Sequence, residues 1–306
     1  MASTGKLQSD GTRCYKGPGC KRHGASSDIL RQIQALKTEV SRSPVSTATK
    51  KHPLFPKDRS IRRGINNPED RTVLDDFDKE ASSFRKGLND KSDDAVRDYT
   101  MGFYDPINRY LRRGEIGIDE YYQHDFKEQI SAENKEFYLN KTREHIASLD
   151  KLIQKHDASN KQERVLYKGY RVRMPDGAKT TPEHIDKHIE ESYKVGQVLT
   201  NKAYTSVSMD SDYMLAFAHR DPENIIVHEI VSKNGIPLHD PEDSNGSVQG
   251  AEREVLLPRD SKFKVVGITE ATFESTYPSG VPTCSTLFRN APKKRKFKII
   301  QMVEID

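Results

Sequence analysis

The sequence predicts an α+β fold in which helices come first and a β-rich segment follows. Between residues 64 and 160, apolar residues recur every three to four positions, which is typical of amphipathic helices. From residue 161 to 306, short runs of β-branched and aromatic residues alternate with turn residues, which is typical of strands. Because the two kinds of element are segregated along the chain, the pattern favours α+β over alternating α/β.

The first 63 residues are expected to form a flexible basic leader. Residues 1–63 hold 14 Lys and Arg against 4 Asp and Glu, so they carry +10 of a chain whose net charge is +4. Such a segment can contact nucleic acid through non-specific electrostatics, or it can be a solvated disordered tail. Cys14, Cys20 and His23 are spaced more widely than common zinc ligands and lack a fourth partner, so a loop is favoured over a metal site.

Composition narrows the class of protein further. The chain has 306 residues, of which 31% are charged. Neither a membrane span of roughly 18 apolar residues nor a signal peptide is evident. Three cysteines are too few for a disulfide framework, which indicates a reducing compartment. The sequence contains no Gly-rich phosphate loop and no H-E-x-x-H, so a Rossmann dehydrogenase and a P-loop kinase are not expected.

Three helices are predicted in residues 64–160. The first covers "NPEDRTVLDDFDKEASSFRKGL" and starts near Pro68. The second covers "DAVRDYTMGFYDPINRYLRRG", with Asp93 as its N-cap and Gly114 at its C-terminal end. The third spans roughly residues 131–156. No other helix is predicted in this half.

Six strands are predicted in residues 161–306, with turn residues between them. They are "RVLYKGYRV", "AYTSVSM", "NIIVHEIV", "REVLL", "FKVVGIT" and "FKIIQMVEI". A short helix, "DSDYMLAFAHR", is predicted after the second strand, with Asp210 as its N-cap.

Three of these strands carry polar residues that can support chemistry. The first ends in the cations Lys168 and Arg171, which could bind phosphate or simply protect a strand edge. The second places Ser206 and Ser208 on one face. In "GAEREVLLP", Glu252 and Glu254 also share one face, roughly 6 to 7 Å apart. Two carboxylates this close shift each other's pKa and can divide catalytic roles, whereas the same pair on an ordinary surface strand has no function.

Together and in this order, the three features resemble the R-S-E class of mono-ADP-ribosyltransferases. The matching stretches are "LYKG", "YTSVSMDSDYMLAFA" and "GAEREVLLPRDSKFKVVG", and the last is the most specific. "AVRDYTMGFYDPINRYLRRG" resembles the helix that precedes the catalytic sheets in binary-toxin-like members of that class. The resemblance covers roughly residues 90–306. It implies helices packed on a two-sheet core, with NAD as co-substrate and no metal.

The resemblance also implies roles for the two glutamates and for the serine strand. Glu254 would stabilise the oxocarbenium-like transition state as nicotinamide leaves. Glu252 would orient the acceptor and help to take its proton, and its being Glu rather than Gln implies arginine as the acceptor. Ser206 would fix the rotamer of Glu254, and Ser208 would support the strand.

The remaining implied contacts are with NAD. Tyr99, Asn108 and Arg112 would shape the NAD pocket from the helical half. The sequence departs from the class at its first strand, where Lys168 replaces the usual Arg. Lys can contact phosphate as a point charge but lacks the planar fork of Arg, so Arg171 or Arg173 is a candidate to assist.

The function expected from the sequence is NAD-dependent transfer of ADP-ribose to arginine on a host protein, with NAD glycohydrolysis as a side reaction. The alternative is a non-enzymatic binding module in which Lys168 marks a decayed NAD site. A carboxylate-pair glycosidase fits poorly, because that chemistry flanks the scissile bond from two sides. The class implies a protein that is secreted or injected into a host, or carried by a phage particle, and the sequence does not choose between these.

Overall fold

The computed structural model describes residues 55, 61–63, 68–127, 129–159, 162–172, 180–211, 225–238, 253–274 and 294–305. Several of the sequence predictions lie outside these residues. They are the Cys14, Cys20 and His23 group, Glu252, and the helix predicted after Asp210 apart from its first residues.

Six α-helices lie in the described residues. They are α1 (Pro68–Lys86), α2 (Asp90–Asp98), α3 (Tyr104–Arg113), α4 (Glu115–Phe126), α5 (Ala132–Ser159) and α6 (Pro182–Ser192). The first and third predicted helices correspond to α1 and α5. The helices α4 and α6 are not in the prediction, because short helices with few apolar residues give a weak periodic signal. None of the helices in the described ranges is long and apolar enough to span a bilayer.

The second predicted helix is divided by a kink. Asn89, not Asp93, is its N-cap: the Asn89 side chain accepts a hydrogen bond from the Ser92 amide at 3.0 Å. A π-helical segment, Tyr99–Phe103, separates α2 from α3. Within it Gly102 has φ 118°, which ends the regular helix. Gly114 closes α3 with φ 65°, as the sequence predicts. The kink lies between Tyr99, the first residue of the π segment, and Asn108 on α3, so it affects how these two residues are placed relative to each other.

Replacing Gly102 by Ala is expected to destabilise the protein by about 1–2 kcal/mol, because φ 118° is unfavourable for a residue with a Cβ. No atom lies within 4 Å of the position a Cβ would take, so the cost is one of backbone conformation. Urea unfolding monitored by circular dichroism measures it. Met101→Ala, at a neighbouring exposed side chain, is the control and is expected to have little effect. Equal stability of the two variants would contradict the kink as described.

In the described residues, nine strands form one hydrogen-bonded sheet. They are β1 (Ile61–Arg63), β2 (Arg164–Arg171), β3 (Val198–Asn201), β4 (Thr205–Ser208), β5 (Ile225–Ser232), β6 (Ile236–Pro237), β7 (Glu254–Leu257), β8 (Ser261–Glu274) and β9 (Lys294–Ile305). The six predicted strands are all present. The strands β1, β3 and β6 are additional, and β1 corrects the prediction that residues 1–63 are wholly a flexible leader, because it pairs in parallel with β8.

The sheet order is β1-β8-β9-β5-β2-β4-β7-β6, and β3 pairs with β8. The sequence predicts two sheets, whereas the strands of the described residues form one hydrogen-bonded sheet. The pairing between β2 and β4 is short: a single residue pair, Tyr167 and Ser208, is in register. The strands β1, β8, β9, β5 and β2 lie on one side of this β2–β4 junction, and β4, β7 and β6 lie on the other. The junction therefore brings the Lys168 strand beside the serine strand.

Buried side chains divide the core between the faces of the sheet. One cluster packs α1 and α6 on the sheet through Leu74, Phe77, Ile185 and Ile189. Another packs the helical half on the short strands, where Ala95, Val96, Ile107 and Leu149 contact Tyr204, Ile236 and Leu256. The second cluster fixes α2, the π segment, α3 and α5 against β4 and β7. Residues from both halves of the chain can therefore meet at the start of β7.

Candidate active site

The buried hydroxyl of Tyr99 joins the helical half to the serine strand. Tyr99 is only 1% exposed. Its hydroxyl accepts a hydrogen bond from Asn108 Nδ2 at 3.1 Å and also hydrogen-bonds with Ser206. The Tyr99 ring packs edge-on against Tyr204, with centroids 6.1 Å apart. Tyr99 thus links two other residues that the sequence predicts in the same site, Asn108 and Ser206.

Two further predicted residues act electrostatically on the same hydroxyl. Burial raises the pKa of Tyr99 to about 12, and the negative charge of Glu254 contributes to the increase. The hydrogen bonds from Ser206 and Asn108 and the positive charge of Arg112 act in the opposite direction. Glu254 from β7 and Arg112 from α3 therefore lie close to the Tyr99 hydroxyl, and Tyr99 stays neutral at physiological pH.

Lys168 belongs to the same charged group. It lies in β2, opposite His228 in β5. Burial and the neighbouring Arg112 lower the pKa of Lys168 to about 8, and Glu254 partly offsets this. Two cations, Lys168 and Arg112, therefore lie close to one carboxylate, that of Glu254. A ligand that carries phosphates and develops positive charge on a neighbouring carbon suits this combination of charges.

The pairing of β4 with β7 sets the direction of Glu254. Ser208 is opposite Glu254 and Ser206 is opposite Leu256, so both serines share a sheet face with the glutamate. Ser208 Oγ accepts a hydrogen bond from the Asp210 amide at 2.9 Å and donates one to the Asp210 carbonyl at 3.1 Å. Ser208 therefore holds the turn that leaves β4, while Ser206 faces the Tyr99 hydroxyl.

Arg253 points away from this group, as strand alternation predicts. Its guanidinium makes two hydrogen bonds with Asp78 on α1, Nε to Oδ1 at 3.1 Å and Nη2 to Oδ2 at 2.9 Å. A third, longer contact joins Nη1 to Asp210 Oδ2 at 3.4 Å. No local feature of the sequence indicates that Asp78 is the partner, because the two residues are 175 positions apart.

The other predicted residues stand apart from this group or outside the described residues. Arg171 is the exposed last residue of β2, and its side chain leaves the strand on the face opposite to Lys168. The structure does not bring Arg171 together with Lys168. Glu252 lies outside the described residues. No group of three or more possible metal ligands occurs in the ranges that the structure describes.

A stack of aromatic rings beside Lys168 is not in the sequence prediction. Tyr170 lies between His188 and His228, with centroid distances of 5.7 and 5.4 Å and both planes within 13° of parallel. The Tyr193 hydroxyl is 2.9 Å from His228 Nε2. Burial, together with the charges of Lys168 and His188, lowers the pKa of His228 to about 3. His228 is therefore neutral beside Lys168, and only the pairing of β2 with β5 reveals that the two are neighbours.

Comparison with protein families gives one match. The family model "ADP-ribosyltransferase exoenzyme" matches residues 76–288, which is more than half of the chain. This range includes every residue of the group described above. No curated protein matches.

The solved structures that match the chain are distant in sequence. BECa, an ADP-ribosylating toxin from a binary enterotoxin of C. perfringens solved with NADH, has 20% identity and a TM-score of 0.48 over 80% of this chain and 50% of its own. Plx2a from Paenibacillus larvae has 18% identity and a TM-score of 0.48, over 78% of this chain and 97% of its own. The Vis toxin from Vibrio splendidus has 15% identity and a TM-score of 0.44, over 82% and 89%. The match thus covers half the length of BECa.

Proposed function

Because the chain belongs to the ADP-ribosyltransferase exoenzyme family, we propose that it transfers ADP-ribose from NAD to a protein arginine. NAD is the substrate of ADP-ribosyltransferases. The observation that carries the proposal is the convergence of Tyr99, Arg112, Lys168, Ser206 and Glu254 on one location, although they come from five separate elements. These are the residue types that the reaction needs: cations for the pyrophosphate, and a carboxylate for the positive charge that develops on the ribose as nicotinamide leaves.

The cations Lys168 and Arg112 are proposed to bind the pyrophosphate of NAD. Their mutual repulsion is part of what lowers the pKa of Lys168, and bound phosphates would relieve it. Arg171 is proposed as a further contact at the exposed end of β2, where it would act on a part of NAD that extends beyond Lys168.

Asn108 supports a binding role for the helical face. Its Oδ1 atom is buried and has no hydrogen-bond partner among the residues that the structure describes. An unpaired buried acceptor costs about 1–3 kcal/mol, so a ligand that donates a hydrogen bond there would gain affinity. The amide Nδ2 is already committed to Tyr99, which fixes the orientation of the side chain. Asn108 is thus proposed to accept a hydrogen bond from NAD while Tyr99 holds it in place.

Glu254 is proposed as the residue that promotes loss of nicotinamide. The glycosidic bond between the ribose C1′ and the nicotinamide nitrogen breaks, and its electron pair leaves with nicotinamide. Positive charge then develops on the ribose, where a fixed carboxylate stabilises it. Ser206 lies on the same sheet face as Glu254 and is anchored by Tyr99, so it is proposed to hold the carboxylate in one rotamer.

Glu252 is proposed to select the acceptor. A guanidinium is held by a nearby carboxylate and must lose a proton when its nitrogen attacks C1′, and Glu252 would take that proton. When water replaces the guanidinium, the same site hydrolyses NAD. The acceptor is proposed to be a protein of a host cell, because exoenzymes act on proteins outside the producing cell. Contact between the basic leader and nucleic acid stays a prediction.

The alternative proposal is a binding module without catalysis. The observation that favours it is Lys168 in the position where the class has Arg, because Lys cannot form a planar two-point contact with phosphate. In that case NAD would bind weakly or not at all.

Incubation of the purified chain with labelled NAD and agmatine, an arginine analogue, separates the two proposals. The transferase proposal expects label on agmatine and release of free nicotinamide. Binding of NAD in a calorimeter, measured on the same preparation, identifies whether the site is intact. Absence of both label transfer and nicotinamide release would reject the transferase, and absence of NAD binding as well would favour the binding module.

Replacing Glu252 by Gln is expected to reduce transfer to agmatine roughly 100-fold, while NAD hydrolysis falls less than about fivefold. Gln keeps the shape of the side chain but can neither attract nor deprotonate the guanidinium, whereas water needs less help. Comparing labelled agmatine with free nicotinamide measures both reactions. Equal losses in the two reactions would contradict a role specific to the acceptor.

A further inference from the structure

A buried Arg-carboxylate cluster holds the backbone immediately before Glu254. It consists of Arg253, Asp78 and Asp210, and we call it the Arg253 clamp. We propose that Arg253 is a positioning residue that fixes the direction of the Glu254 carboxylate, an inference that rests on the proposed function of Glu254. The clamp connects three elements: α1 through Asp78, the exit of β4 through Asp210, and the entry of β7 through Arg253.

The geometry of the clamp is that of a rigid contact rather than a surface ion pair. Two parallel hydrogen bonds of 3.1 and 2.9 Å join Arg253 to Asp78, and this fork restricts both side chains. The side chains are 13% exposed for Arg253, 26% for Asp78 and 0% for Asp210. Water and salt therefore screen this contact less than they screen an exposed pair. Two carboxylates share one guanidinium, so replacing Arg253 removes a cation from both of them at once.

The backbone beside the clamp has an unusual conformation. Arg253 has φ 41°, in the left-handed region that residues with a side chain rarely adopt. Its carbonyl accepts a hydrogen bond from the Met209 amide at 3.0 Å, and the Glu254 carbonyl accepts one from the Leu238 amide at 2.9 Å. Such a conformation persists only where the surroundings determine it, and it changes the direction of the chain one residue before Glu254. The clamp supplies those surroundings.

The inferred consequence is specific to the chemical step. If the clamp is lost, the backbone at Arg253 can relax to the extended conformation, and the Glu254 carboxylate moves from the position where charge develops. A displacement of about 1 Å in a catalytic group can reduce the rate by as much as about 100-fold. NAD binding through Lys168 and Arg112 should change little, because neither residue contacts the clamp in the described structure.

Arg253→Met is the direct test, because Met keeps the unbranched stem and removes the charge and the fork. We expect kcat for nicotinamide release to fall roughly 30-fold and KM for NAD to change less than about threefold. Arg253→Lys keeps the charge without the fork, so its kcat should lie between that of Arg253→Met and that of the wild type. Asp78→Asn preserves the shape of the pair and serves if Arg253→Met does not fold. The double variant, Arg253→Met with Asp78→Asn, should lose no more kcat than Arg253→Met alone, because both changes remove the same interaction.

Arg259→Met is the matched control. Arg259 also binds a carboxylate, because its Nε donates to both oxygens of Asp150, at 3.2 and 3.0 Å, from the turn at the other end of β7. Thermal melts should show a smaller loss of stability for Arg259→Met, whose side chain is 40% exposed, than for Arg253→Met, and kcat should be reduced only in Arg253→Met. Equal kcat losses in both variants, or a rise in KM with kcat unchanged, would overturn the positioning role.

Hydrogen exchange supplies a measurement that does not depend on activity. The Met209 and Leu238 amides donate to the carbonyls of Arg253 and Glu254, so their exchange reports the order of that backbone. In Arg253→Met both amides should exchange at least tenfold faster than in the wild type, and in Arg259→Met they should not. Unchanged exchange overturns the clamp. If the wild type releases no nicotinamide while exchange still accelerates in Arg253→Met, the proposed function fails and the clamp stands as a backbone restraint.

Discussion

Glu254→Gln is expected to lower kcat for nicotinamide release roughly 1,000-fold, the largest effect of any single substitution proposed for this chain. Gln has the size and shape of Glu but no negative charge, so it cannot balance the positive charge that develops on the ribose. A loss of this size corresponds to about 4 kcal/mol of transition-state stabilisation. Steady-state release of nicotinamide, with and without agmatine, measures it, and both reactions should be lost together.

The binding of NAD separates this effect from damage to the pocket. Glu254→Gln should leave the calorimetric Kd for NAD within about fivefold of the wild type, because the interaction is made in the transition state rather than in the ground state. The substitution should also make the Tyr99 hydroxyl more acidic, since the charge of Glu254 raises the pKa of Tyr99. Glu270→Gln, on β8 and paired with Lys298, is the control and should change kcat less than about twofold. A similar kcat for the two variants would remove Glu254 from the mechanism.

Lys168→Ala is expected to lower kcat/KM for NAD roughly 100-fold, or about 2.7 kcal/mol, because a charged hydrogen bond to phosphate is lost in a poorly solvated site. The same residue predicts a pH dependence. The pKa of Lys168 is lowered to about 8 by burial and by Arg112, so the cation is present below pH 8 and is lost as the pH rises above it. NAD affinity should therefore fall roughly tenfold for each pH unit above the pKa of the free protein.

Calorimetric titrations between pH 6.5 and 9.5 test this dependence. Lys168→Arg is the matched variant, because Arg stays charged throughout that range and can contact two phosphate oxygens at once. Its NAD affinity should be independent of pH and at least equal to that of the wild type. His228, opposite Lys168, is neutral throughout the range because its pKa is lowered to about 3, so it does not contribute. A wild-type affinity that is flat across pH 8, or the same slope in Lys168→Arg, would contradict a phosphate contact by Lys168.

Several elements could be predicted from local sequence because their signals are local. The helices α1 and α5 have apolar residues at helical spacing, and six strands consist of β-branched runs between turn residues. The kink between α2 and α3 could not be predicted. Its cause is one glycine at φ 118° inside an otherwise helical pattern, and an isolated glycine is also tolerated in regular helices. The strands β1, β3 and β6 have two to four residues, too few for a period to show.

The same distinction applies to the candidate site: some of its residues could be predicted from local sequence and others could not. Glu254 and Ser206 could be predicted because strand alternation and a family pattern identify them within a few residues. Partners distant in sequence could not: Asp78 meets Arg253 across 175 positions, and His228 meets Lys168 through the pairing of β5 with β2. Sheet order and register arise from packing of the whole core, and no local window contains that information.

The sequence alone therefore determined the fold class, because helical and strand spacing are local properties, whereas the flexible leader and the roles of the site residues stay predictions. The tertiary structure decided which of them meet. It placed Tyr99 against Ser206, set Lys168 and Arg112 beside Glu254, and turned Arg253 onto Asp78. The physical reason is that charges and hydrogen bonds act over a few ångströms, and only the folded chain brings residues so far apart in sequence within that distance.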